Sequence, residues 1–354
     1  MTIRPVALSI VFTVMLCGCG SREDNQKAHE NEIVTHPARV LGDEGRIATV
    51  EDYLVVYSSP FPDKVYLYNW SALDKMPKEV SLELPGEAAF MGDRYIVFDQ
   101  RAETGKDTSV DIFIQDVATG KQVHKFPVSK EWFCNHLFTN RTGTRVAVAL
   151  KENYGVTGNF DHPRIRIGLI GPKADKISWI TTLVGEHSGE STIHMAVPSD
   201  DGAYIGVGGW GKEGVIIIDV VKKKILWKND NIPTPLLYDL CFTPDSRVVY
   251  TADMTECIVY GLDVLTGKVL SKWPIPEEGG FRIVSVAVSP DGRYVAAGTG
   301  PSGDVHVFST KSGKEVMWIK HEDCTIYFLA FSPDSTMLAT SMGSAVKIWE
   351  MPGK

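Results

Sequence analysis

The sequence predicts an all-β, seven-bladed β-propeller. A Ser-Pro-Asp turn phrase recurs with its aspartates at Asp201, Asp245, Asp291 and Asp334, in steps of 44, 46 and 43 residues. A second turn, Asp-x-x-Thr-Gly-Lys, occurs at Asp116–Lys121 and Asp263–Lys268, with Ser312-Gly313-Lys314 in the matching place. Apolar runs of strand length separate the turns. A period of about 45 residues built from strands and turns marks propeller blades, because one antiparallel blade leaves its faces wet and has to stack on neighbours.

Each copy is expected to hold four strands. The innermost is short and apolar and ends at Phe242, Val288 or Phe331. In the following turn proline presets its φ, aspartate binds nearby backbone and glycine takes a left-handed position. A second strand returns, as at Tyr294–Ala297; a third follows, such as Val305–Phe308 or Val346–Trp349. The glycine of Thr-Gly-Lys then suits the hairpin into the fourth. Looser first turns occur at Pro198–Gly202, Thr142–Arg145, Gly92–Arg94 and Glu51–Tyr53, with Asp200-Asp201 read as solvated turn residues. Blades are placed near 46–85, 88–128, 133–183, 192–228, 236–273, 282–319 and 325–350. The last copy has three strands, ending at Ile348-Trp349-Glu350, which would leave a sheet edge open. Ile33–Leu41 is expected to supply the missing strand, with Pro37 tolerated on an outermost position.

These turns resemble those of the WD-repeat propellers and, more broadly, bacterial propellers of the quinoprotein-like and lactonase-like kinds. The resemblance is strongest over residues 190–350. It implies a buried set joining histidine, hydroxyl, aspartate and tryptophan; the last blade offers His321, Ser341 and Trp349, with Gly343 in place of the aspartate.

Ahead of the repeats, Arg4 precedes the eleven-residue apolar run Val6–Leu16, then Leu16-Cys17-Gly18-Cys19. The run is too short to span a bilayer and fits a signal peptide. The ending resembles the bacterial lipobox, so Cys19 is the expected lipidation site, carrying acyl chains such as palmitate; Cys17 follows the bulky Leu16 and fits less well. Residues 1–18 are read as a lipoprotein signal peptide, 19–32 as a polar flexible tether and 33–354 as the propeller. The implied location is a lipid-anchored domain in the cell envelope, at the outer membrane if the cell has two.

The net charge of −8 and the absence of long basic runs argue against nucleic acid, and no polybasic membrane surface stands out. No disulfide is expected: Cys241 and Cys257 fall on strands one and three of one blade, and Cys134 and Cys324 on separated blades. Gly206, Gly208 and Gly211 spell G-x-G-x-x-G, but a strand follows instead of the helix that a dinucleotide site requires; these glycines are read as shaping a loop. No zinc or calcium spacing and no Gly-x-Ser-x-Gly elbow occurs. Neither a metal nor a quinone cofactor is expected.

Loop lengths divide the disc. The turns joining strands one to two and three to four are short, apart from Trp70–Lys78. The other connections, among them Ser58–Asp63, Arg101–Ser109, Lys151–Arg164, Val184–Ser191 and Gly298–Asp304, are long and varied, and such loops on a rigid scaffold carry binding. On that face the inner-strand starts offer Asn135, His136, His194, Tyr238, Asp239, Arg282 and Tyr327, flanked by Thr192 and Thr325. These could hold a polar ligand or satisfy one another and water; a one-residue register slip would turn several away. The leading functional expectation is a non-enzymatic binding scaffold for another envelope protein. The alternatives are a lactonase-like hydrolase, with His136 or His194 as base and Arg282 holding an anionic substrate, and a glycan- or peptide-binding module using aromatics such as Trp210.

Overall fold

The structure, a computed structural model, describes residues 32–353 apart from 35–36, 38, 42–45, 51, 58–63, 82–87, 93, 102–109, 158–163, 185–191, 211–213, 230–231, 233–236, 254–255, 276–281, 322–323 and 343–344. Cys19 and most of the long connections lie outside the described residues. Seven sheets follow in order along the chain, each built from antiparallel pairs of successive strands, with one N-terminal strand added to each of the last two. They form the propeller ring, and the blades lie at 46–81, 88–127, 132–184, 192–229, 237–274, 282–319 and 328–350. Every described strand lies within Glu32–Lys354, so the ring is complete without residues 1–31.

The core follows from the blade shape. A twisted four-stranded sheet has two apolar faces, and each needs a cover. Seven apolar clusters accordingly fill the seven junctions between adjacent blades. The junction of blades 7 and 1 joins Leu54, Val56 and Trp70 to Ala339, Val346 and Ile348, all buried. Each fully buried aliphatic side chain of this kind stabilises by about 1.5–3 kcal/mol. Trp70 opens a short 3-10 turn in the long connection of blade 1, capped where Ser71 N donates to Asn69 Oδ1 at 2.9 Å.

Ring closure departs from expectation in one respect. Arg39–Leu41 does pair antiparallel with Val346–Glu350 and completes blade 7. Glu32–Val34, however, pairs parallel with Glu315–Ile319 as a fifth strand on blade 6. The expected single strand is therefore two, on either side of Pro37. Proline cannot donate a ladder hydrogen bond, which suits a break between two sheets. The closing seam is also tied at the inner strands, where Thr49 Oγ1 donates to Phe331 O at 2.6 Å.

The repeated first turn has one geometry in blades 4 to 7. The hydroxyls of Ser199, Thr243, Ser289 and Ser332 donate to Asp201, Asp245, Asp291 and Asp334 at 2.6, 2.6, 2.7 and 2.6 Å. The same hydroxyls accept from the N–H five residues on, at 2.9–3.0 Å. The residue after each aspartate is left-handed: Gly202, Ser246, Gly292 and Ser335. Serine is strained there, yet Ser335 Oγ accepts from Asp291 N at 3.1 Å, so in blade 7 the strained residue also ties down blade 6. In the other turn Asp263 Oδ1 accepts from Leu265 N, Thr266 N and Thr266 Oγ1 at 3.1, 2.8 and 2.7 Å. Those bonds hold the Asp263 carboxyl below its usual range, the Thr266 hydroxyl bond first among them. Gly267 sits there at φ 71°, and an added Cβ would lie 2.9 Å from Trp227 of the preceding blade.

Two further expectations are corrected. Gly206 and Gly208 lie inside the strand Tyr204–Trp210, not in a loop; a Cβ on Gly206 would come within 2.8 Å of Leu240 in blade 5, so the small residue admits the next blade. In blade 7 the hydroxyl between histidine and tryptophan is Thr340, not Ser341. Trp349 Nε1 donates to Thr340 Oγ1 at 3.0 Å, and His321 Nε2 lies 3.4 Å from the same oxygen. Alternation along the strand decides this, because neighbouring residues point to opposite faces. Gly343 lies outside the described residues. None of the four described cysteines is in a disulfide, and Cys257 precedes its strand in a left-handed conformation.

Gly120 is left-handed with open space around it, whereas Gly267 is left-handed against an indole. Gly120→Ala is expected to cost about 1 kcal/mol and Gly267→Ala about 2–4 kcal/mol, read from denaturant midpoints; equal costs would contradict the interblade packing. Burial, and then Lys347, lowers the pKa of His321 from 6.5 to about 4. The unfolded chain therefore takes up this proton first, and the contribution is complete above about 6.5 and lost as pH falls towards about 4, to a total of about 3 kcal/mol. His321→Gln is expected to flatten that part of the stability–pH curve.

Candidate functional site

The inner strands of all seven blades enclose a central cavity of about 630 Å³. Its wall is mostly apolar, from residues such as Phe90, Leu137, Leu240, Val286 and Leu329, and polar side chains gather towards its ends. His136, Asp239 and Tyr327 contribute from blades 3, 5 and 7, and so reach the wall from separated directions. His136 is half-buried with its ring 5.4 Å from Phe138. Tyr327 is 54% exposed and its ring lies 6.4 Å from Phe328.

Asp239 is a structural acceptor. One oxygen accepts from Leu240 N and the other from Val286 N in blade 6, both at 2.9 Å. Burial in the wall nevertheless pushes its pKa up to about 7, against the lowering effect of the two N–H groups. Burial, with the neighbouring Asp239 charge, also pushes the Cys241 thiol well up, which makes it a poor nucleophile.

The other expected site residues are placed differently. Asn135 is half-buried, and the ladder shifts register between Cys134 and His136, so Asn135 is skipped and does not line the cavity. The same shift occurs between Ile193 and Met195, around His194, and between Leu237 and Leu240, around Tyr238. The side chains of His194, Tyr238 and Trp210 are outside the described residues. Arg282 opens the inner strand of blade 6, exposed and outside the cavity lining. A bulge at the start of the inner strand is thus a shared feature of blades 3 to 6, and it decides which residue of each pair turns inwards.

Sequence reasoning missed the other end of the cavity. Asn140, Arg141, Thr142 and Asp200 line it there, beside Pro290 and Pro333. Arg141 and Asp200 stand in blades 3 and 4 where blades 5 to 7 have the turn proline. Arg141 Nε and Nη2 both donate to Asp200 Oδ2, at 2.8 and 2.5 Å. Arg145 Nη1 donates to Asp200 O at 2.9 Å, and its guanidinium fills the space where a Cβ of Gly202 would lie. Asp200 is therefore a sheltered partner in an interblade ion pair, correcting the solvated reading, while Asp201 alone serves the turn. The signal was present: two adjacent copies replace proline with opposite charges. Among the described residues, no group of three His, Cys, Asp or Glu side chains is placed to hold a metal ion.

For Asp239 the folded pKa is raised above the ordinary 3.8 to about 7, so the folded state holds the proton more tightly and this group's contribution weakens as pH rises through that range. The stability of Asp239→Asn relative to the parent is expected to improve from about pH 4 to about pH 7 and to level off above that. A difference independent of pH would show that the carboxyl does not titrate there.

Residues 313–350 match the family model described as WD domain, G-beta repeat. A stretch of 70 residues is 34% identical to the small ribosomal subunit protein RACK1 of Caenorhabditis elegans, spanning 20% of this chain and 21% of that protein. The whole fold is similar to the β-propeller domain of Myceliophteria thermophila Cps50 (Swd1), with a TM-score of 0.64 at 14% identity over 90% of this chain and 99% of that one. It is similar also to a chain in the crystal structure of the mitotic checkpoint complex, with a TM-score of 0.64 at 16% identity over 98% and 100% of the two chains. At such identities the structural likeness speaks for architecture alone. The matching last repeat, the recurring hydroxyl–aspartate turns and the closed ring of seven blades together make this chain a WD-repeat-like seven-bladed β-propeller.

Proposed function

We propose that this chain is a lipid-anchored, non-enzymatic binding scaffold of a bacterial cell envelope, held to the membrane through Cys19 and engaging another envelope protein through its long-loop face. The observation that carries the choice of face is the contrast between the two ends of the inner strands. At one end the aspartates and hydroxyls of four blades are committed to the same turn. At the other, Arg282 and Tyr327 are exposed beside varied connections, and a rigid ring presenting irregular loops is the usual basis of recognition. WD propellers serve as scaffolds and bind protein partners, and one of the similar folds was solved within a multiprotein complex. The non-enzymatic reading is supported by the use of Asp239 as a backbone acceptor and by the position of Arg282 outside the cavity that His136 lines. The apolar run, the lipobox-like Leu16–Cys19 and the polar segment after it support the anchor.

Photo-crosslinking residues placed at Arg282 and Tyr327 are expected to capture a reproducible envelope protein, and one placed at Asp245, 60% exposed on the short-turn face, is not. Capture from Asp245 alone, or from no position, would overturn the choice of face. Separately, Cys19→Ala is expected to move the protein from the membrane fraction to the soluble fraction; retention would remove the anchor from the proposal.

A further inference from the structure

Blades 4 and 5 repeat one surface pattern at equivalent positions. Asp219 and Asp263 set the alignment, because each accepts from the backbone N–H three residues on, at 2.7 and 2.8 Å. On that alignment Val221, Lys224, Ile225 and Lys228 correspond to Leu265, Lys268, Val269 and Lys272, and all of these are exposed. Val221 is 83% and Leu265 62% exposed, and Leu270, at a register shift in the outer strand of blade 5, is 54% exposed. The two rims meet directly: Trp227 Nε1 donates to Val264 O at 2.7 Å and Asn229 Nδ2 to Gly267 O at 3.0 Å. The outer strand of blade 4 thus lies against the turn of blade 5, and the two patterns form one surface. Blade 6 breaks it, with Lys311 and Glu315 where apolar residues stand in blades 4 and 5.

The charge here runs against the rest of the molecule and against the expectation that no polybasic surface stands out, because lysines 44 residues apart in two copies come together only on the folded rim. The chain carries a net −8, yet this rim is rich in lysine. Lys222 lies 2.9 Å from Asp219 and Lys272 lies 3.9 Å from Glu256. Among the described residues, Lys223, Lys224, Lys228 and Lys268 make no ion pair within 4 Å; Asp263 is hydrogen-bonded within its own turn, with the Lys268 charge close enough to help lower its pKa.

We propose that the outer rim of blades 4 and 5 is an interfacial surface that docks on anionic lipid headgroups. Short aliphatic side chains standing apart can enter the headgroup boundary, while lysine stems lie along the same apolar layer with their ammonium groups at phosphate level. Each lysine held near an anionic leaflet adds attraction that salt weakens. An acidic protein is a poorer match, since protein interfaces favour arginine and aromatic residues and are depleted in lysine, and this pattern is built from lysine and aliphatics. The surface needs no acyl chain; on an anchored propeller it would also set how the ring faces the membrane.

The test uses residues 20–354, unlipidated and keeping every described strand, in flotation with vesicles of phosphatidylglycerol and phosphatidylethanolamine or of phosphatidylcholine. Binding is expected to the anionic vesicles only and to weaken as salt rises. The combined variant K224E/K228E/K268E/K272E is expected to bind about a thousandfold more weakly, which removes flotation, and V221S/L265S/L270S at least about tenfold more weakly, each with an unchanged melting midpoint. Equal binding to both vesicle types, no binding, or unchanged binding of both variants would overturn the proposal. Tighter binding to soluble polyglutamate than to vesicles would overturn it too, in favour of an acidic protein. Cys19 is absent throughout, so failure here leaves the anchor standing, and loss of the anchor leaves this result standing.

Discussion

The constraint on which the rest of this structure depends is that no blade can bury its own faces. Each sheet is apolar on both sides, so its stability exists only at the junction with a neighbour, and the seven clusters of the core sit at those junctions. A row of such sheets would end in two wet faces; a ring ends in none. Closure therefore matters more than any single contact. It is achieved by the strand on blade 7, by the parallel strand on blade 6 and by the buried seam between blades 7 and 1.

The ring also explains why polar groups are placed as they are. A carboxylate in an inner strand is removed from bulk water and needs donors, and Asp239 finds them in its own strand and in the next blade. Arg141 and Asp200 solve the same problem pairwise at the other end of the cavity. Such contacts fix the angle between blades as well as satisfying charge, and they leave recognition to groups on the outer surfaces: the irregular connections on one face, and the lysine-rich rim of blades 4 and 5.

Much of the fold was legible in the repeat. Ser289 and Asp291 are two residues apart, so their hydrogen bond and the chain reversal it makes are local events that any copy of the phrase announces. The site was less legible. Asn135, His194 and Tyr238 each fall at a register shift, where one residue more or less decides which side chain faces the axis. The exchange of Ser341 for Thr340 beside Trp349 has the same origin, the two-residue alternation of a strand. Arg141 and Asp200 were less legible because each departs from the turn proline within its own copy, whereas their meaning lies in being neighbours in space.

By itself the sequence determined the blade architecture, the turn chemistry and the number of copies, because these follow from contacts within about 45 residues, and it showed the need for an N-terminal strand because the last copy has only three. Only the tertiary structure decided how residues 32–41 divide between two blades, which inner-strand side chains line the cavity, and that lysines and aliphatics of two blades merge into one rim. The physical reason is common to all three. They depend on the register and rotation of one sheet against the next, and those are set by packing between blades rather than by the pattern within any one of them.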